Sequence, residues 1–425
     1  MSSNRPSGER RRGPRPSRFA AIRPARLVLI LLITLPLASL IVAMGWAASL
    51  RGLAPERALS LAPWDAGAHA RVAERALAPE QKATRIAPAQ VEKAESAARY
   101  ALARAPATAA AWRTLGYVAA LRNEERRALS LFQTSESFSR RDSPTQIWLI
   151  EHAVRNGNIA DALGHYDIAL RTSPGTRALL LPILVQAASD PAIRAPLGRL
   201  LKRRPPWTEE FISTLVTAPA QPETVAAVLA VMRRAGPLPF PMTIIPYVNQ
   251  LATKDEVAVA ERIYRLLKQP VARAVLLRNG AFEAENALPP LDWALTQAGG
   301  IDALVEGGRL QVRGAADAAG LAAYQKLLLE PGRYRLSSRV GSEAGAAAAE
   351  VSWVVLCNGA DGRELLKTRV QTTSADGSPV QALFEVPPGG CGVQALQIVL
   401  SPVDDPAGAA AWIDDVTIVS ATVRT

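Results

Sequence analysis

Three patterns of hydrophobic and polar positions follow one another along the chain. Residues 27–48 form one apolar run, LVLILLITLPLASLIVAMGWAA, in which no residue is charged. Residues 49–270 repeat small and apolar positions at the spacing of amphipathic helices, and residues 279–421 contain short alternating runs separated by glycine and proline. We therefore predict a multi-domain protein: a single transmembrane helix, an all-α solenoid, a linker at 271–278 and an all-β sandwich.

The apolar run has the length of a membrane span. A helix over residues 27–48 rises about 33 Å, enough to cross the ~30 Å hydrocarbon core of a bilayer. Pro36 is tolerated inside such a helix, and Trp46 suits the membrane interface. A buried helix of a soluble domain is the alternative interpretation, but core helices rarely stay uncharged for this length.

The segment before this helix predicts its orientation. Residues 1–26 carry eight arginines and one acidic residue, Glu9, and the positive-inside rule keeps such a segment cytoplasmic. Its Pro, Ser and Gly content predicts disorder, and its charge predicts attraction to anionic lipid. The rest of the chain is then periplasmic, anchored in a bacterial inner membrane. A cleaved signal peptide is the alternative, with Ala47, Ala48 and Ser49 as the small residues at its end.

A period of 34 residues relates Ala94, Ala128 and Ala162. The residues that carry it are Ala128-Leu129-x-x-Phe132 and Ala162-Leu163-x-x-Tyr166-x-x-Ala169-Leu170-x-x-x-Pro174, preceded by Trp112-x-x-Leu115-Gly116-x-x-Ala119. This pattern resembles the tetratricopeptide repeat, most specifically over residues 109–176, with Ala119 at the family's Tyr position. The spacing predicts antiparallel helices that pack closely where small residues meet. Large side chains are predicted to fill the space beside these contacts.

Helical periodicity continues after residue 175 in a looser form. The predicted helices are Leu179–Ala188, Ile193–Leu201, Glu209–Val216, Val225–Arg234 and Val257–Leu267. Lys202, Arg203 and Arg204 are predicted to end a helix, where cations favour the dipole. A patch for an acidic partner is the alternative for these three residues.

The last part of the chain has the spacing of an antiparallel sandwich. The predicted strands are Leu310–Val312, Leu327–Leu329, Tyr334–Val340, Glu350–Cys357, Leu365–Val370, Gln381–Val386, Gln394–Leu400 and Ala411–Val419. Trp353 alternates with Val351 and Val355, so it is predicted to lie in the core.

Three motifs in residues 279–421 resemble one family. They are Asn279-Gly280-x-Phe282-Glu283 with Trp293, Leu329-x-Pro331-Gly332-x-Tyr334-x-Leu336, and Trp412-Ile413-Asp414-Asp415-Val416. They are similar to the jelly-roll carbohydrate-binding modules of families 4, 9 and 22. The resemblance implies sugar binding on a face of the sandwich, at residues that the sequence does not locate. It also implies a structural Ca²⁺ held by Glu283 with Asp414 or Asp415, ligands that suit a hard cation. The alternative is that Asp415 only hydrogen-bonds the start of the domain.

Cys357 and Cys391 are the two cysteines of the chain. An even pair in one periplasmic domain predicts a disulfide. Two buried thiols that pack as small hydrophobic groups are the alternative.

Catalysis and nucleic-acid binding find little support in the sequence. The three histidines, His69, His152 and His165, have no metal-ligand spacing, and none lies in the domain of the cysteines. The net charge of +11 comes largely from the N-terminal tail, and no P-loop, zinc-finger or RNA-binding motif is present. We therefore expect a non-enzyme that requires no cofactor and binds no nucleic acid.

The combination predicts a periplasmic scaffold for cell-envelope or exopolysaccharide biosynthesis and export. The solenoid would bind a protein partner and the sandwich a glycan. The alternative is an assembly factor of a secretion or cell-division complex whose sandwich binds protein and no sugar.

The orientation gives the first testable prediction. A reporter that fluoresces only in the cytoplasm, fused after Thr425, should stay dark, because the basic tail keeps only the N-terminus inside. A bright fusion would overturn the predicted topology. Replacing the arginines of residues 1–26 by glutamine should weaken the orientation preference, which serves as the matched control.

Overall fold

The computed structural model describes residues 24–78, with side chains from Val28, and residues 86–217, 221–234, 236–254, 256–267, 276–286, 288–343, 348–358 and 362–421. The chain forms two compact units, which divide between Leu149 and Ile150. Residues 1–23 of the predicted tail and residues 271–275 of the predicted linker lie outside the described residues, whereas residues 24–26, predicted as tail, are helical.

The predicted membrane span forms one continuous helix, α1 (Pro24–Leu50). Its stretch Val28–Leu50 is the one helix in the described part of the chain that is long and apolar enough to cross a membrane, and its mean hydropathy is 2.6. The large apolar side chains of α1 from Val28 to Trp46 are exposed. Only Ala47, near its end, is fully buried against protein.

The remainder of the first unit consists of short antiparallel helices. They are α2 (Pro55–Leu61), α3 (Ala66–Ala76), α4 (Pro88–Arg104), α5 (Ala109–Leu121), α6 (Glu125–Phe138) and α7 (Ser143–Arg155), the last of which contains the division between the units. Proline opens α2 and α4, where its missing N–H costs nothing. Asp65 caps α3 by accepting a hydrogen bond from the Ala68 N–H at 3.0 Å. Buried alanines line the helix contacts, so the backbones approach closely.

The second unit begins with further helices. They are α8 (Ile159–Thr172), α9 (Arg177–Ala187), α10 (Pro191–Leu201), α11 (Thr208–Thr217), α12 (Pro222–Arg234), α13 (Pro241–Thr253) and α14 (Val257–Leu267), with a 3₁₀ turn at Pro174–Thr176. Asn158 and Asp190 cap α8 and α10. Every helix predicted after residue 175 is present, and α13 is additional. The helices share one core with Leu288 and Leu291, which follow them in the chain.

The sandwich consists of two antiparallel sheets. Its strands are β1 (Ala294–Leu295), β2 (Gln297–Ala298), β3 (Ile301–Glu306), β4 (Arg309–Gly314), β5 (Gly320–Leu327), β6 (Gly332–Ser342), β7 (Glu350–Cys357), β8 (Glu364–Gln371), β9 (Ser378–Val386), β10 (Gln394–Leu400) and β11 (Ala409–Ser420). The five-stranded sheet has the order β1-β5-β10-β7-β8, and the six-stranded sheet has the order β2-β3-β4-β11-β6-β9. The predicted β-sandwich is therefore confirmed. The strand predicted at Leu327–Leu329 instead ends at Leu327, and β1, β2 and β3 are additional.

The sandwich core is built from the inward side of each strand. Trp353 lies there fully buried, as predicted, together with Val351 and Val355. The predicted disulfide is also present: Cys357 and Cys391 are bonded, with their Cα atoms 5.1 Å apart. This separation lies within the range that a disulfide requires.

Helix α14 is joined to the sandwich through buried polar groups. Glu261 of α14 forms an ion pair with Arg278, and the Tyr264 hydroxyl donates to Asp292 Oδ1 at 2.8 Å. Asp292 also accepts the Leu288 N–H at 3.0 Å. Burial, reinforced by the Asp292 carboxylate, raises the pKa of Tyr264, so its hydroxyl remains a donor. The helices that end at α14 and the sandwich that follows residue 270 therefore pack against each other.

One helix contact provides a stability test. A Cβ added to Gly116 on α5 would lie 2.8 Å from the Phe132 ring of α6, whereas one added to Gly164 on α8 meets nothing within 4 Å. We expect Gly116→Ala to lower the free energy of unfolding by about 1–2 kcal/mol through overpacking. The control, Gly164→Ala, should raise it by about 0.5–1 kcal/mol. Denaturant unfolding of the detergent-solubilised protein measures both, and equal effects would contradict this packing.

Candidate functional site

The outer face of the five-stranded sheet carries ordered rows of side chains. Directly paired residues of antiparallel strands share a face. One row crosses four strands from Lys367 through Val354 and Gln397 to Tyr324. A parallel row runs from Arg369 through Ser352 and Val399 to Leu321. The inward residues between these rows belong to the sandwich core.

A groove of about 810 Å³ lies on this face, and we call it the sheet groove. Its lining combines apolar side chains with hydrogen-bonding ones, and the four lining residues of β8 are all polar. Its lining is Ala348, Glu350, Ser352, Val354, Leu356, Glu364, Lys367, Arg369, Gln371, Val399, Ser401, Pro402, Val403 and Asp404. None of these residues is aromatic, and Tyr324 is the half-exposed aromatic residue that lies in the same row as Lys367. The sheet groove thus presents donors and acceptors over an apolar floor.

Glu350 organises one end of the sheet groove. Its carboxylate accepts hydrogen bonds from the Ser401 hydroxyl at 2.8 Å and from Gln371 Nε2 at 3.1 Å, and Arg369 lies 3.9 Å away. These contacts orient Gln371 and Ser401 before any ligand arrives. The contact of Arg369 with Glu350 is long and its side chain is 63% exposed, and Lys367 on the same strand is also exposed.

The residues predicted to hold calcium occupy a different part of the sandwich. Asp414 and Asp415 lie at a β-bulge of β11, where Asp415 has φ 51° and donates its N–H to Asp414 Oδ1 at 2.7 Å. Arg309 Nε lies 3.7 Å from Asp414 Oδ2. Glu283 is exposed. Among the described residues, no group of three or more His, Cys, Asp or Glu side chains could hold a metal ion. Calcium binding stays a prediction.

The opening motif of the sandwich is explained by backbone contacts. The Val416 N–H donates to the Gly280 carbonyl at 2.9 Å, and a Cβ on Gly280 would collide with the Val416 carbonyl oxygen. Asn279 has φ 48° and bonds both backbone groups of Ala284. Trp293 donates its Nε1–H to the Asn279 carbonyl at 3.1 Å. Asn279, Gly280 and Trp293 therefore close the sandwich rather than contact a ligand.

The six-stranded sheet offers a less open outer face. Trp412 is almost fully buried there, although it points away from the core, because Arg309 lies over its ring at 4.2 Å and Arg339 at 5.9 Å. Gly341 and Gly377 leave the space that its indole occupies. This tryptophan is covered and is not a free stacking platform.

A second groove, the helical groove, lies in the first unit and encloses about 450 Å³. It is lined by residues of the alternate helices α3, α5 and α7 and of the adjoining loops: Arg71, Glu74, Leu77, Ala78, Ile86, Arg113, Thr114, Tyr117, Leu121 and Pro144. At its base Arg113, whose side chain is only 8% exposed, forms ion pairs with Glu74 and with Asp142. Asp142 in turn accepts a hydrogen bond from the Thr145 hydroxyl. Sequence periodicity did not single out Arg113.

The predicted repeat residues lie at helix contacts. Ala128, Phe132 and Ala169 are fully buried, and Ala162 and Tyr166 are nearly so. Phe132 fills the space beside Gly116, and Leu115 packs on the preceding hairpin. Trp112 donates its Nε1–H to the Pro106 carbonyl at 2.7 Å, and Pro174 follows the end of α8. These residues shape the hairpins, and Trp112, Phe132 and Tyr166 are not among the residues that line the helical groove.

Comparisons with known proteins cover only part of the chain. No family model matches, and no curated protein matches. Three similar solved structures are a family 4 carbohydrate-binding module (CBM4), a family 61 module bound to β-1,4-galactotriose, and the CBM22-1 xylan-binding domain of Paenibacillus barcinonensis Xyn10C. Each is 18% identical to this chain. In the same order, the matches cover 34%, 35% and 31% of this chain. They cover 99%, 99% and 86% of the chains of the three solved structures. Their TM-scores are 0.28, 0.26 and 0.24.

The ion pairs of Arg113 generate a prediction. Arg113→Met keeps the length of the side chain but leaves Glu74 and Asp142 without their shared cation, so unfolding should become easier by about 3–5 kcal/mol. Arg127→Met is the control, because the Arg127–Glu124 pair is exposed and such pairs contribute at most about 1 kcal/mol. Denaturant midpoints decide between them. Similar losses for both variants would mean that the Arg113 ion pairs contribute little.

Proposed function

We propose that this protein is a membrane-anchored periplasmic scaffold whose sandwich binds a polysaccharide in the sheet groove. The observation that carries the proposal is the groove itself. It is the larger of the two grooves described above, and it combines apolar and hydrogen-bonding side chains on one sheet face. Ligand sites have this composition: apolar surface with a few placed polar groups.

The side chains of the sheet groove match the chemistry of a glycan. Sugar hydroxyls both donate and accept hydrogen bonds, and the groove offers acceptors on Glu350 and Glu364 and donors on Lys367 and Arg369. The apolar floor at Val354 and Leu356 suits the C–H faces of a sugar ring. Tyr324, farther along the row, offers one aromatic edge for the same contact. Two cations on one strand also favour a glycan that carries carboxylates.

The first unit supplies the anchor and a surface for a protein partner. Helix α1 would remain in the membrane, because Ala47 is buried against Ala58, Ala62 and Ala68, and cleavage near residue 48 would remove that contact. The hairpins of residues 109–176 would be tetratricopeptide-type repeats, and the helical groove would bind an apolar segment of the partner beside Arg113. Such a protein connects an envelope complex to the glycan that it synthesises or exports. It performs no catalysis and needs no cofactor, although a structural Ca²⁺ near Asp414 stays compatible with the proposal.

A second function is favoured by one observation. The described lining of the sheet groove contains no aromatic residue, and aromatic faces are a frequent means of holding apolar ring surfaces. A sheet groove without them suits an extended peptide with alternating charges equally well. In that case the protein would be an assembly factor of a secretion or cell-division complex that binds no sugar.

Polysaccharide binding tests the first proposal. Detergent-solubilised full-length protein is applied to immobilised neutral and uronic-acid polysaccharides, and the dissociation constant is measured for the wild type and for Lys367→Ala/Arg369→Ala. The loss of two charged hydrogen-bond donors should weaken binding at least about tenfold. The matched control is Arg333→Ala/Arg335→Ala, which removes two exposed arginines of β6. Equal weakening by both variants would indicate a general charge effect, and absence of any binding would favour the assembly factor.

A further inference from the structure

The junction between α1 and the first helical hairpin exposes several large apolar side chains. Leu53 is 83% exposed, Trp46 64%, Trp64 48% and Leu61 41%. Leu53 lies in the turn that follows α1, and Leu61 and Trp64 lie in and just after α2. Trp64 also lies beside Met44 of α1 in space, and contiguous exposed apolar surface marks a site that contacts a partner or a membrane.

This junction is built to hold its shape. Arg75 of α3 donates to the carbonyl oxygens of Gly52 and Leu53, at 3.0 and 2.8 Å, and lies 3.4 Å from Glu56. Arg51 forms a 2.8 Å ion pair with Asp65, the cap of α3. The backbone of the turn is therefore fixed while the Leu53 side chain points outward. Because the backbone of this turn is fixed, the Leu53 side chain cannot turn inward as it could in a mobile loop.

The hairpin also packs on the last turns of α1. Ala47 of α1 shares a buried cluster with Ala58, Ala62 and Ala68, and Leu50 packs on the same cluster. Small side chains bring the three helices into close contact. No flexible linker separates the proposed membrane helix from the first hairpin, so the position of one determines the position of the other.

A cleft shows how deep the hairpin lies along α1. Met44, Arg51, Ala62, Trp64, Asp65, Ala66 and Gly67 line a space of about 250 Å³. Met44 lies six residues before the end of α1 at Leu50, which is about 9 Å along a helix. The interfacial layer of a bilayer is only about 5–8 Å thick on each side. If α1 spans the bilayer, a side chain that shares a cleft with Met44 therefore lies at the level of the lipid interface.

From these observations we infer that the first hairpin is seated in the membrane interface, with Leu53 and Trp64 in contact with lipid. This rests on the proposed membrane anchoring by α1. Tryptophan is enriched at this depth because its ring is apolar and its N–H is polar. Trp46 and Trp64 belong to the same belt, one on the spanning helix and one on the hairpin. The partner of this surface is the lipid bilayer, and the contact sets the angle at which the first unit leaves the membrane.

Nitroxide accessibility tests the inference. Both native cysteines are bonded to each other, so an introduced cysteine is the one free thiol for labelling. The full-length protein is reconstituted into phosphatidylethanolamine–phosphatidylglycerol bilayers and labelled at Leu53→Cys or Trp64→Cys. Leu35→Cys, in the middle of α1, reports on the anchor, and Phe138→Cys, an exposed aromatic position on α6, provides the aqueous reference. The measured quantity is the ratio of spin relaxation caused by oxygen to that caused by a nickel chelate.

The expected result is a ratio at positions 53 and 64 that is severalfold above that at 138 and below that at 35. A high ratio at 35 with values at 53 and 64 equal to that at 138 overturns the seating and leaves the anchor intact. An aqueous ratio at 35 overturns the anchor and the seating together. Low accessibility to both reagents at 53 and 64 means that protein covers them, which also overturns the lipid contact. Leu53→Cys changes a side chain that makes little contact, so misfolding does not obscure the outcome.

Discussion

The second unit depends on the buried charge of Glu261. A carboxylate that leaves water is costly unless it is paired and hydrogen-bonded. Here Arg278 compensates it, and the Arg278 backbone N–H and carbonyl are in turn bonded by the side-chain amide of Gln325 on β5. Tyr264 and Asp292 repeat the same kind of contact one turn farther along α14. Glu261 is also paired with Arg265 of its own helix, but Arg278 and Asp292 reach α14 from the far side of residue 270, so the helices and the sandwich constrain one another.

This junction leaves the sheet groove uncovered. Gln325 and the segment that carries Asp292 belong to the β1–β5 edge of the five-stranded sheet, whereas the sheet groove is formed mainly by β7, β8 and the end of β10. The helices therefore occupy one edge of the sheet and leave the other open. A glycan in the sheet groove would lie across a surface whose position is fixed by α14. Movement of the helical part of the second unit would be transmitted to the ligand through packed contacts rather than through a linker.

The sequence predicted the structure well where a residue type in a given pattern has one predominant structural role. Alternation placed Trp353 in the core, small residues marked the hairpin contacts, and the cysteine pair predicted its own bond. Helix α13 was missed because Pro241 and Pro246 look like helix breakers, although Pro241 opens the helix and Pro246 is accommodated inside it.

The sheet groove could not be predicted, since its rows join strands in the order β5-β10-β7-β8. Alternation reveals which side of a strand faces outward but not which strands are neighbours. Arg113 was missed for a related reason: a lone arginine on a helix is ordinarily solvated, and only the fold brings Glu74 and Asp142 to it.

Two features that share no residue argue for the same compartment. The arginines of residues 1–26 predict a cytoplasmic N-terminus and an exported remainder. The Cys357–Cys391 bond, at the ends of neighbouring strands where Cys357 pairs with Gln394, favours an oxidising environment. It closes a loop with a sequence separation of 34, for which the chain-entropy model gives about 3–4 kcal/mol. In a reducing compartment the sandwich would lose that contribution at the end of β7 and the segment that leads into β10. Since β7 also supplies Glu350, Ser352, Val354 and Leu356 to the sheet groove, the bond is anchored in one of the two strands that line it most.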